Sequence, residues 1–209
     1  MIFEKNLAKR KVKLFLISLI IGVCATSVLR VYSRDIVEGI SNSVVRLHVV
    51  ANSNSEEDQT LKLKVRDEVI KTLEPMLADS KSTEETKNII KSNLGFIEEE
   101  AEKAIKKYGY TYGVTVNFDN YYFPTKQYAN AQFPKGKYDA LKIVIESGKG
   151  NNWWCVLYPA LCFSGNSNGT LLKESEAKLK NTLSKDEYEV VTSKNKINFK
   201  FKIVEWFSS

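Results

Sequence analysis

The stretch Gly150-Asn-Asn-Trp-Trp-Cys-Val-Leu-Tyr-Pro-Ala-Leu-Cys-Phe163 decides the reading of this chain. It holds two of the three tryptophans, Trp153 and Trp154, and two of the three cysteines, Cys155 and Cys162. Consecutive strand residues point to opposite faces, so one Trp enters the core and the other faces away from it. Both rings can be core-capping aromatics. The outward one can instead be a contact anchor, since Trp is enriched where interfaces concentrate their binding energy. Pro159 ends the strand or marks a turn, because it has no N–H for a ladder. The chain can therefore fold back after Tyr158 and bring the two sulfurs together. A local disulfide and two buried free thiols both fit the spacing, which is neither a redox C-x-x-C nor a zinc-ligand pattern. No metal site and no cofactor is expected; the one histidine, His48, lies about a hundred residues away.

The compartment follows from the start of the chain. Lys5, Lys9, Arg10, Lys11 and Lys13 precede an apolar run from Leu14 to Leu29, which Arg30 closes. A basic segment followed by an apolar one is the pattern of an export signal. The run is slightly short of the ~20 residues of an untilted span. It fits either a cleaved signal peptide or a short uncleaved anchor. The positive-inside bias leaves everything after Arg30 on the far side of the membrane. The expected division is residues 1–34 as signal or anchor and 35–209 as a single extracytoplasmic domain. The net charge of +6 loses its meaning as a nucleic-acid signal once divided this way. The first 30 residues hold six of the 31 bases and one of the 25 acids, which leaves the rest near neutral.

Outward from the tryptophans, Val44 to Ala51 is β-branched and apolar and reads as a buried strand, with His48 as a strand histidine. Asn52-Ser-Asn-Ser-Glu-Glu-Asp-Gln59 is a strand-to-helix turn rich in capping residues, with acids where the helix dipole favours them. The helix that follows runs to about Ala78, its buried stripe formed by Leu61, Val65, Val69, Leu73 and Leu77. Asp58, Lys62 and Arg66 form a charged row beside that stripe. Ser82-Thr-Glu-Glu85 opens a second helix, which Ile90, Leu94, Ile97, Ala101, Ala104 and Tyr108 carry as far as Gly109. Tyr112 to Phe118 alternates as a strand. Two Phe-Pro turns follow, at Phe123 and Phe133, then a strand from Asp139 to Glu146. Gly148-Lys-Gly150 is expected to turn that strand into the Trp-Trp-Cys strand as an antiparallel pair. A short helix at about 173–183 and a last strand from Lys196 to Trp206 complete the chain. The expected class is α+β: a mixed, mostly antiparallel sheet with two long helices packed on it, preceded by the signal or anchor helix.

Catalytic signatures are missing from this pattern. There is no G-x-S-x-G, H-E-x-x-H, P-loop or G-x-G-x-x-G, and one His leaves little for nucleophilic catalysis. Two of the many carboxylates could still form a glycosidase pair. The runner-up readings are therefore an extracytoplasmic wall-active enzyme and a glycan-binding module using exposed aromatics.

Three blocks carry a resemblance. They are Val45-Arg-Leu47 with Ala51-Asn-Ser-Asn-Ser-Glu-Glu-Asp-Gln59 and Leu61 to Asp67; Phe123-Pro-Thr-Lys126 with Tyr128, Pro134, Gly136 and Tyr138; and Gly150 with Asn152-Trp-Trp-Cys-Val-Leu-Tyr-Pro159 and Leu161-Cys-Phe163. Together they resemble the stage II sporulation protein R family. The resemblance implies a non-enzymatic signal made in the forespore and exported into the space between the two sporangial membranes. There it would activate a membrane-embedded aspartic protease that processes pro-sigma-E to sigma-E. The expected contact residues are Asn52, Ser53, Asp58, Gln59, Lys62, Arg66, Trp153 and Trp154. Replacing Trp154 or Lys62 with Ala is expected to abolish signalling and leave the fold cooperative.

Overall fold

The computed structural model describes residues 2–162 and 173–193, with side chains from residue 10 onward. It separates into two compact units, Met1–Glu38 and Gly39–Ser209. Helix α1 (Ile2–Asn42) makes up the first unit and contributes its last residues to the second. In the first unit Leu14, Phe15, Ile20, Ile21 and Val28 are each more than half exposed. An unbroken exposed apolar surface of this kind suits a lipid environment. The segment Arg10–Asn42 has a mean hydropathy of 2.3 over its most apolar window, long and apolar enough to cross a membrane. A signal sequence and an anchor both meet that description.

The second unit is a mixed α+β arrangement. Strand β1 (Val45–Val50) is followed by helices α2 (Glu56–Leu77), α3 (Thr83–Ser92) and α4 (Leu94–Lys107). Then come β2 (Val114–Phe123), a hairpin of β3 (Lys126–Tyr128) and β4 (Ala131–Phe133), β5 (Gly136–Ile145) and β6 (Asn152–Tyr158). Helices α5 (Lys173–Thr182) and α6 (Lys185–Thr192) close the described chain.

The main sheet has the order β2-β5-β1-β6. All six residues of β1 are buried, and a strand buried on both faces belongs in the middle of a sheet. It runs parallel to β5 and antiparallel to β6. The expected direct pairing of β5 with β6 is thus corrected. The two strands do run in opposite directions, but β1 lies between them and pairs with both, so the backbone groups on both edges of this buried strand find partners.

One sheet face carries Val45, Leu47, Val49, Val116, Leu141, Ile143, Cys155 and Leu157, and packs on the helices. The stripe Leu61, Val65, Val69, Leu73 and Leu77 is buried along α2 as its four-residue spacing requires. The expected second long helix is two helices. Asn93 leaves helical geometry at φ −121°, ψ 17°, its N–H donates to Ile90 O, and its Nδ2 donates to Ile89 O at 2.7 Å. An Asn side chain that competes for nearby carbonyls favours helix ends over interiors. Ile90, Ile97, Ala101 and Ala104 remain buried across the break. The Phe-Pro turns flank the β3–β4 hairpin, whose two-residue loop places Ala129 at φ 53°. The short helix expected near 173–183 is α5; α6, unanticipated, starts with a capping box between Ser184 and Glu187. The expected last strand, Lys196 to Trp206, lies outside the described residues.

Candidate functional site

The capping turn after β1 and the turn before β6 are bound to each other. Ser55 caps α2, its Oγ accepting from Asp58 N at 3.2 Å. Asn52 Nδ2 donates to Asp58 Oδ2 at 2.9 Å, and Asn52 Oδ1 accepts from Ser147 Oγ at 2.8 Å. Ser147 Oγ also lies 2.8 Å from Asn52 O, to which Lys149 N donates. Gly150 N donates to Ala51 O, and Asn151 N to Asn54 Oδ1 at 2.8 Å. A Cβ on Gly150 would lie 2.2 Å from Ser53 O, so only glycine allows this approach. Gln59 Nε2 donates to Ser53 O. Lys62 Nζ donates to Gln59 Oε1 at 2.6 Å and to Asn151 O at 3.0 Å, tying α2 to the start of β6.

Six of the eight expected contact residues therefore meet around this clasp or beside it: Asn52, Ser53, Asp58, Gln59, Lys62 and Arg66. Asp58 and Lys62 are 4% and 5% exposed, which makes them interior groups with polar partners. Hydrogen bonding, that of Ser53 first, holds the Asp58 carboxyl below the usual carboxylate range. Burial pushes the Lys62 ammonium below the usual lysine range. Arg66 extends from the same helix to stack 4.7 Å above the Trp153 ring and reaches Asp67 at 2.6 Å. Trp153 packs half-buried against the helix-side core.

Trp154 points the other way, as strand alternation demands. It stacks on His48 with ring centroids 3.8 Å apart and meets Phe123 edge-on at 4.7 Å. Sequence reasoning missed what lies next to it. Arg46 is fully buried on the same face, with its guanidinium carbon 4.2 Å from the centre of the Phe123 ring and 4.8 Å from that of Tyr138. Tyr128 and Phe133, from the hairpin, complete an aromatic box. Arg46 Nη2 donates to Tyr128 Oη at 2.6 Å. Among the described residues no carboxylate pairs with it, and Nη1 has no hydrogen-bond partner. The rings supply the counter-charge through their negative faces. Burial still depresses the Arg46 pKa and raises those of Tyr128 and Tyr138. His48 Nε2 donates to Asn152 Oδ1 at 2.6 Å, Nδ1 has no hydrogen-bond partner among the described residues, and burial lowers the His48 pKa to about 4. The pattern Phe-Pro with a following Tyr, twice over, was the available signal for this box.

Past β6 the chain turns back at Pro159, whose peptide bond with Tyr158 is cis. Leu161 N and Cys162 N both donate to Val156 O, and Cys155 and Cys162 are joined as a disulfide with Cα atoms 5.7 Å apart. Among the described residues no three His, Cys, Asp or Glu side chains come together as a metal site.

The chain thus combines a mixed sheet packed on α2, α3 and α4, a clasped capping turn, an aromatic box and an apolar N-terminal helix consistent with a signal sequence or an anchor. A family model described as stage II sporulation protein R matches residues 41–168, more than half of the chain and all of β1 to β6. The chain belongs to that family. It is 42% identical over 139 residues to the stage II sporulation protein R of Bacillus subtilis (strain 168), a match that covers 66% of this chain and 62% of that protein. No solved structure matches.

Proposed function

We propose that this protein acts in endospore formation as an exported signal. In this reading it is made in the forespore and crosses the forespore membrane. From the intermembrane space it activates the membrane-embedded aspartic protease that converts pro-sigma-E to sigma-E. The observation that carries this reading is family membership across the whole sheet and its helices. The apolar N-terminal helix supports it, because a signal or anchor is what the route requires. Activation here means binding the active protease more tightly than the inactive one, which shifts its population without any turnover by the activator. We assign the contact surface to the Trp153–Arg66 stack and the Trp154 face. These lie on opposite faces of β6, and Asn52, Ser53, Asp58, Gln59 and Lys62 act by holding the adjoining turn in place.

The test is a reconstitution in a non-sporulating host. The chain is produced with the protease and pro-sigma-E, and loss of the pro-sequence is followed by immunoblot. Processing that depends on this chain, and stops when residues 1–30 are deleted, is the expected result. Processing indifferent to a folded, exported chain overturns the reading and moves the wall-enzyme and glycan-binding alternatives to the front.

A further inference from the structure

Among the described residues, the sheet face turned away from α2, α3 and α4 is only partly covered. Register places Asn117 of β2, Lys142 of β5, His48 of β1 and Trp154 of β6 in one row across all four strands. The neighbouring row on one side contains Arg46 and lies under the β3–β4 hairpin. The row on the other side runs Thr115, Val144, Val50, Asn152. Thr115, Asn117 and Asn152 are exposed, Lys142, Val144 and Trp154 are half-buried, and His48 and Val50 at the centre are buried, so the two rows are open along their outer strands.

Charge separates this face from the helical side. On α4, Lys103, Lys106 and Lys107 all pair with glutamates, so that surface neutralises itself. On the open face the ammonium groups rest on rings instead. Lys126 Nζ is 6.0 Å from the Trp154 ring centre and Lys142 Nζ is 5.0 Å from that of Tyr121. Neither lysine pairs with a carboxylate among the described residues, and the charge of Arg46 beneath them is likewise uncompensated by an acid. The carboxylates at the margin are Asp119, which accepts from Asn120 N, and Glu146, which accepts from Gly113 N. The surface thus offers a rigid aromatic platform, already stacked and costing little entropy to use, flanked by two cations without acids.

We propose that these two rows dock an acidic, extended segment of the partner protein. Its carboxylate lies between Lys126 and Lys142, and a neighbouring apolar side chain lies against Trp154. This assignment rests on the reading that the domain works by binding the protease, and it locates that binding. Opposite charges across an interface chiefly set encounter rate and partner choice, so a charge reversal reads out strongly here.

The experiment uses the full chain in the reconstituted processing system. Lys142→Glu is expected to slow processing at least tenfold. Lys103→Glu, on the self-neutralised helical surface, leaves it unchanged. Lys142→Gln, a milder change, gives an intermediate rate. A photo-crosslinking residue at the exposed position Asn117 is expected to join the protease, and one at Lys103 is not. If wild type drives processing while Lys142→Glu matches it and position 117 forms no adduct, the docking face is wrong and the signalling reading stands. If wild type drives no processing, the signalling reading itself fails and takes this face with it. An Asn117 crosslink that forms only within the chain, or Trp fluorescence quenched by a chitooligosaccharide with Lys142→Glu still active, overturns the proposal in favour of an internal cover or a glycan platform.

Discussion

Replacing Lys62 with Met separates a structural role from a contact role. The substitution keeps the apolar stem and removes the two hydrogen bonds from Nζ, to Gln59 Oε1 and to Asn151 O. A hydrogen bond to a charged group contributes about 1.5–3 kcal/mol. Three effects reduce the total. The Asn151 carbonyl sits on an exposed residue and can turn to water, Gln59 can do the same, and removing a buried ammonium relieves its desolvation. The expected loss is therefore about 1–2 kcal/mol for both bonds together. Lys62→Ala also removes three methylenes from a nearly buried stem, at about 0.8 kcal/mol each, and should lose roughly 3–4 kcal/mol in all. Equilibrium urea unfolding of the chain in mild detergent, followed by Trp fluorescence and far-UV circular dichroism, measures both. The midpoint should fall in the order wild type, Met, Ala with little change in slope. Signalling at low temperature should follow folded fraction. If Lys62→Met unfolds at the wild-type midpoint and yet fails to signal, Lys62 is a contact residue and the clasp argument is refuted.

Four further outcomes follow from the same structure. Gly150→Ala drives a methyl group into the Ser53 carbonyl and should lose about 2–4 kcal/mol, whereas Gly95→Ala, in open space on α4, should gain up to ~1 kcal/mol; a urea midpoint unchanged by the first, or lowered by the second, would contradict that prediction. His48 is the one histidine, and its folded pKa of about 4 lies below its unfolded value near 6.5. The unfolded chain then binds the extra proton, so the stability that neutral His48 permits is complete above pH 6.5 and falls by roughly 2–3 kcal/mol as pH drops toward 4. A His48→Leu variant should show a flatter profile through that window, and an equally steep one refutes the assignment. Cys155→Ala with Cys162→Ala, which opens a bridge spanning seven positions, should lose about 2.5 kcal/mol by loop entropy; unfolding midpoints insensitive to both the mutations and reductant would show unjoined sulfurs. Tyr128→Phe removes the acceptor from Arg46 Nη2 and should cost about 1–3 kcal/mol, whereas replacing Arg46 and Tyr128 together with Met and Phe should cost less than the two single changes summed.

Local chemistry in this chain was legible, and long-range pairing was not. The α2 stripe, its Ser55 cap and the buried β1 strand follow from spacing and residue type within a window of a dozen residues. The break at Asn93 carried a signal as well, since Asn93 and Gly95 are both poor helix formers, but the apolar period runs through them and masks it. The placement of β1 between β5 and β6 needed a decision about which edges meet across about a hundred residues. A tight Gly-rich turn suggested the nearer partner. The clasp shows the same division. The capping residues were visible, but their partners at Ser147, Lys149 and Asn151 arrive from the far end of the domain. Arg46 was the least legible residue. It stands inside a segment read as a buried strand with nothing nearby to receive a guanidinium, and the hydroxyl that accepts from it is 82 positions away.

The strand order has a consequence for how the domain acquires its shape. On the exported reading, the chain emerges from its N-terminus, so the central strand of the sheet arrives first and waits. Its parallel neighbour follows about 90 residues later and its antiparallel neighbour later still. Helices α2, α3 and α4 can form from local contacts in that interval, but the sheet cannot close until nearly the whole described chain is across. High contact order of this kind makes folding slow relative to helix formation. A chain held open in this way stays threadable for as long as transport lasts. On the exported reading, the sheet, and with it any surface it presents, is complete only after the chain has crossed, so the strand order itself would delay a signal until delivery.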